Sequence, residues 1–142
     1  MEDEKTIEKL VHFIIGALDK LGFFERVPPA VQWRIDWNDE KLAAQGLRAA
    51  ATLEGQNPVL LLSRQFRLAT GICDLIHEAI HMAQIIKGDL VPGFNDGTVL
   101  WKGQCYQKVP PSDPHYMDSQ PWEAEASALT GPVLDALSDR YN

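Results

Sequence analysis

The chain has 142 residues, 45% of them hydrophobic and 23% charged, with a formal net charge of -7 and an isoelectric point near 5.0. Those values describe a single globular domain over residues 1–142 and exclude a broad basic footprint, so neither nucleic acid nor a membrane surface is an expected partner. Cys73 and Cys105 cannot make a disulfide framework or a CxxC knuckle, Met1-Glu2-Asp3-Glu4 has the wrong charge for a signal peptide, and no apolar run approaches the roughly 20 residues of a membrane span, so a reduced, cytoplasmic setting is expected.

Ile7, Leu10, Val11, Ile14, Ile15, Leu18 and Leu21 recur at spacings of three and four, which predicts an amphipathic helix over 3–21 closed by Gly22. Pro28-Pro29 breaks the chain, and the alternation from Val31 to Trp37 then predicts a half-buried strand. Leu47 to Leu53 reads as a second strand weakened by its alanines, and Val59 to Leu62 as a third that leads into a helix. That helix runs from Leu68 to Lys87 along the stripe Ile72, Leu75, Ile76, Ala79, Ile80, Ala83 and Ile86, with Gly88 as its C-cap. Asn95-Asp96-Gly97 predicts a hairpin turn into Thr98–Trp101, and the proline-rich stretch through Pro114 an ordered surface loop. A last helix opens at Gln120-Pro121, and Thr130-Gly131-Pro132 should kink or split it before Val133 to Tyr141 resumes.

Within the central helix stands His77-Glu78-Ala79-Ile80-His81. Residues four apart lie on one face about 6 Å apart along the axis, so two imidazoles can share one metal ion. Glu78 stands roughly 100 degrees around the helix from His77, within reach of a metal-bound water, and suits a general base. The apolar stripe is expected to be buried while His77, His81 and Gln84 line a wet cleft.

A catalytic zinc takes three protein ligands and keeps one position open. Glu123, Glu125, Asp113, His115, Asp118 and Cys105 are the candidates for the third. Cys73 fails, because it lies roughly 12 Å along the axis from His81, and it reads as a small buried thiol. Pro121 at the helix start places Glu123 in the first turn, where the dipole favours an ionised carboxylate. Glu125 is rotated from it by roughly 200 degrees, so both cannot bind one ion directly, and Glu123 is favoured.

His77-Glu78-Ala79-Ile80-His81 combined with Trp122-Glu123-Ala124-Glu125-Ala126 on a later helix resembles the gluzincins, zincin metallopeptidases whose third ligand is a downstream glutamate, often in an ExxA pattern that Glu123 and Ala126 match. Leu100-Trp101-Lys102-Gly103 followed by Gln120 to Ala126 is also similar to small zincin-like proteins encoded by bacteriophages, and the likeness covers roughly residues 57–130. Ser127 stands where some gluzincins carry an aspartate that orients a histidine, which leaves Asp74 as a substitute.

The resemblance implies an α+β, minimal zincin-like domain: a small, mostly antiparallel sheet packed on the HExxH helix, with helices at both ends. It implies Zn2+ held by His77, His81 and Glu123, and hydrolysis of a protein or peptide substrate by metal-activated water with Glu78 as base. His115, Tyr116 or Tyr106 would stabilise the oxyanion, and Val59–Ser63 or Thr98–Trp101 would be the sheet edge that receives substrate. Trp101 and Trp122 would line a pocket or belong to the core, and Cys105 reads as structural. Two other readings compete: a zinc-binding zincin fold with a structural or regulatory role, phage-associated and without peptidase activity, and a helical module in which the histidines are incidental.

Overall fold

The computed structural model describes residues 4–24, 32–43, 46–92 and 97–141 as a mixed α+β arrangement of four helices and two three-stranded sheets. Pro28-Pro29 and the Asn95-Asp96 part of the turn lie outside the described residues. Where one sheet is expected there are two, mostly antiparallel, with helices at both ends of the chain.

Helix α1, Glu4–Lys20, buries Ile7, Val11, Ile14 and Leu18. It ends as expected at Gly22, whose φ of 83° lets Phe23 N reach back to Leu18 O at 3.0 Å. The first sheet has the order β1-β3-β2, formed by β1 (Arg34–Trp37), β2 (Ala49–Glu54) and β3 (Asn57–Leu62), with β3 parallel to β1 and antiparallel to β2. Strand β3 is covered on both faces. Leu60 and Leu62 join the main core, while Val59 and Leu61 meet Leu42 of the short helix α2, Asp39–Ala43, which is why the run reads as continuously apolar. Helix α2 escapes the sequence pattern because it spans little more than one turn; Asn38 Oδ1 caps it by accepting from Lys41 N at 3.0 Å.

Helix α3 spans Leu68–Lys87, and Gly88, at φ 88°, closes it. It is the axis of the molecule, packed by α1, by the first sheet and by α4, Pro121–Tyr141. Helix α4 is neither split nor interrupted at Pro132. Proline removes one backbone donor, and the core contacts of Ala126 before it and of Val133 and Leu137 after it hold both halves in one helix.

The second sheet is the meander β4-β5-β6 of Leu90–Val91, Thr98–Trp101 and Gln104–Gln107. Sequence pattern misses β6, since three of its four residues are exposed and none of the alternation of a half-buried strand is present. Its signal is the Lys102-Gly103 turn, with both residues at positive φ, 49° and 82°, as a two-residue hairpin requires. Ile85, Leu90, Val99, Trp101 and Trp122 form a second apolar cluster that ties the end of α3 to the start of α4. Among the described residues no helix is long and apolar enough to cross a membrane.

Candidate metal centre

His77 and His81 occupy successive turns of α3, their rings 4.6 Å apart and nearly perpendicular, and their Nε2 atoms 3.0 Å apart. The first turn of α4 brings Glu123 to the same point, with Oε2 2.8 Å from His77 Nε2 and Oε1 3.1 Å from His81 Nε2. Donors around a tetrahedral zinc, with bonds near 2.0–2.1 Å, stand roughly 3.3 Å from one another. The three groups therefore already lie within a few tenths of an ångström of a coordination shell, and two imidazoles with one carboxylate are a donor set that zinc accepts. His77, Glu78 and His81 also form a group able to hold a metal ion, with one ligand atom from each inside a common 4.8 Å.

Glu78 is turned otherwise. Its Oε2 accepts the Ala51 amide of β2 at 3.1 Å, which sets the carboxylate beside the histidines and against the sheet edge. The alanines that weaken β2 as a strand keep its inner face low, and Ala51 contacts both apolar clusters beside α3.

His81 does not lie on a wet face, whereas the His77 side chain keeps 28% of its surface exposed. His81 and Glu123 are each 7% exposed, because α4 covers the face of α3 that the amphipathic pattern leaves to water. Burial would raise the Glu123 carboxyl, but hydrogen bonds and charge from His77 and His81 outweigh it and hold the group well below the usual carboxylate range. Burial would lower His81, yet the hydrogen bond it donates to Glu123 and the charges of Glu78 and Glu123 hold it above its ordinary value. Burial pushes the Glu78 carboxyl up, against the opposing pull of the two histidines.

This cluster borders a cavity of about 610 Å³. Ala50, Ala51 and Thr52 of β2, Glu78, His81 and Glu123 border it on one side, and Lys108 to Pro111, Tyr116 and Gln120 on the other. Half-buried Tyr116 faces Glu123; burial first, and then that negative charge, push its phenol above the ordinary range. Gln120, 1% exposed, holds this wall in place by donating to Tyr116 O at 3.2 Å and accepting from Val109 N at 3.0 Å. The proline-rich stretch is thus an ordered loop, stapled to the head of α4 by a residue whose only sequence signal is its place before Pro121.

His115 does not line the cavity: its side chain is 75% exposed and stands 3.9 Å from Asp118. Asp113 hydrogen-bonds the His115 amide in the same loop, and Cys105 is exposed on β6. Tyr106 packs edge-on against Trp122. Trp101 and Trp122 both belong to the second core cluster, and Trp122 also borders the cavity. Cys73 faces solvent rather than the core. Asp74 is likewise exposed and does not orient a histidine; Gln84 takes that place, its Oε1 2.8 Å from His81 Nδ1. Gln84 is wholly buried instead of lining a cleft. Neither Val59–Ser63 nor Thr98–Trp101 is a sheet edge, since β3 and β5 are the middle strands of their sheets; of the edge strands, β2 borders the cavity with Ala50, Ala51 and Thr52, and β4 with Leu90. Comparison of this chain with protein-family models, with curated proteins and with solved structures returned no match.

Proposed function

We propose that this chain is a zinc-dependent peptide hydrolase of the gluzincin type. The observation that carries the reading is the meeting of His77 Nε2, His81 Nε2 and the Glu123 carboxylate within 2.8–3.1 Å, beside Glu78 and at the wall of a cavity. Zinc held by those three residues supplies Lewis acidity, which makes water at the site more acidic and polarises a carbonyl. Glu78, fixed by the Ala51 amide, takes a proton from the attacking water and delivers it to the departing amine, so that water and one peptide bond become a carboxylic acid and an amine. The raised carboxyl of Glu78 suits both halves of that transfer, since a carboxyl that holds its proton more firmly than usual is the better base. Tyr116, with its phenol held protonated, donates to the oxygen on which charge develops. An extended peptide lies along β2, the edge strand at Ala50 to Thr52.

The experiment is direct. Purified chain should contain about one zinc per molecule, cleave a mixture of fluorescence-quenched peptides, and lose that cleavage on chelation and in Glu78→Gln. A chain that binds zinc yet cleaves nothing, and is indifferent to Glu78→Gln, belongs to the second reading. In that reading zinc ties α3 to α4 in a structural or regulatory module, a reading favoured by the polar contacts that already join those two helices.

A further inference from the structure

Gln84 is fully buried and every hydrogen-bonding atom of its amide is engaged. Its Nε2 lies 3.0 Å from Trp122 O and 3.0 Å from Glu125 Oε1, and its Oε1 lies 2.8 Å from His81 Nδ1. A carboxamide nitrogen carries two protons and no lone pair to offer, and here both of its neighbours are acceptors. The reversed amide would set its oxygen against two other oxygens in the core, so the orientation of Gln84 is forced by α4.

We infer that Gln84 and Glu125 are a positioning pair that fixes the tautomer of His81 and the spacing of the two ligand helices. With Oε1 of Gln84 facing the ring, Nδ1 carries a proton; Nε2 faces the Glu123 carboxylate at 3.1 Å and holds a second proton in the metal-free chain, so that an ion at the point where His77 and Glu123 converge would replace the Nε2 proton alone. The same amide holds the carbonyl of Trp122, the residue directly before Glu123, so one side chain sets the ring of one ligand and the backbone of another. The two glutamates of Trp122-Glu123-Ala124-Glu125, rivals for one role by sequence, divide it: Glu123 faces the histidines, and Glu125, roughly 200 degrees around the helix, orients the amide behind them.

The tautomer stands by itself; its consequence for metal rests on the reading of the site as a zinc centre. The test uses the full 15N-labelled chain, first metal-free and then with zinc added. Long-range proton–nitrogen correlation should show His81 protonated on Nδ1 in both states; a bare Nδ1 in either overturns the proposal. The second arm is Gln84→Glu, which sets a buried carboxylate beside the partly buried one of Glu125 and should weaken zinc binding, measured by competition with a chelator, by about 10–100-fold. Adding Glu125→Gln restores one donor facing one acceptor, and the double variant should recover at least half of that loss on a logarithmic scale. A double variant no tighter than Gln84→Glu alone defeats the pair. If the unaltered chain binds no zinc, the proposed function falls and the tautomer measurement still decides this inference.

Discussion

Zinc added to the metal-free chain across a range of pH should reveal the two incompatible proton states of the site. Without metal, Glu123 is held below its ordinary range and His81 above it, so the pair is an ion pair between helices. A depressed carboxyl contributes stability above its unfolded value, and this is lost as pH falls through the folded one; a raised imidazole contributes below its unfolded value, and this is lost as pH rises through the folded one. With unfolded values near 4.3 and 6.5, the pair stabilises the metal-free chain fully from about pH 4.3 to about pH 6.5 and fades on either side. Metal needs the carboxylate ionised but the ring neutral. While His81 is protonated, each zinc must displace that proton, so binding strengthens by about 1.4 kcal/mol per pH unit and levels off once the ring is neutral. On that plateau, free zinc at about 100 times Kd adds about 2.7 kcal/mol, a rise of about 5–11 °C in the melting temperature of a chain this size. Thermal unfolding with and without buffered zinc, from about pH 5.5 to about pH 8.5, measures the curve on both sides of the ordinary imidazole range. An equal zinc shift at both ends, or an undiminished one in the His77→Ala/His81→Ala variant, refutes the assignment.

Glu78→Gln should keep its zinc and its contact with Ala51 while lowering peptide cleavage by about 10²–10⁴-fold; loss of metal instead would make Glu78 a ligand. Tyr116→Phe should lower kcat by about 10²–10³-fold and leave zinc content alone, whereas His115→Ala, exposed beside Asp118, should change neither. Gly71→Ala should destabilise: a Cβ there stands 2.6 Å from Cε2 of Phe66, itself 2% exposed, and the overpacking of about 1–3 kcal/mol exceeds the roughly 1 kcal/mol that alanine contributes in a helix. Denaturant unfolding checks the sign, and Phe66→Leu in the same chain should recover part of the loss.

Helix α3 was legible to the residue because both of its signals are local: an unbroken apolar stripe and a glycine that can take positive φ at its end. The meeting of Glu123 with the histidines could be anticipated from its first-turn position and from the ligand pattern of the resemblance. What sequence left hidden is contributed by partners distant in the chain. The wet face assigned to His81 and Gln84 is buried only because α4 returns across it. Glu78 is held by a main-chain amide, and every residue of β2 carries one, so no side-chain pattern could point to Ala51. Cys73 shows the reverse error: a thiol is most often buried, but this one stands on the exposed side of α3 beside exposed Asp74.

The site lies where two apolar clusters meet, and that location accounts for how its donors stay together. The main core fixes α3 against α4 through Ala79, Ala83 and Ala126, small residues that let the helices approach. The second cluster fixes the entry of α4, because Trp122 is wedged among Ile85, Leu90 and Val99 one residue before Glu123. Between them, a buried carboxylate and two rings are a poor way to hold helices: apolar side chains of similar volume are often as stabilising or more so, and removing one partner of a buried pair costs about 3–5 kcal/mol. A satisfied polar cluster that opens on a cavity is a place to look for a ligand, which is why the proposed function is set there. The same reasoning separates the two glutamates. Glu125 serves the fold's interior through an amide, and only Glu123 presents both oxygens to nitrogen donors, so only Glu123 can give them to an ion without leaving another buried group unpaired.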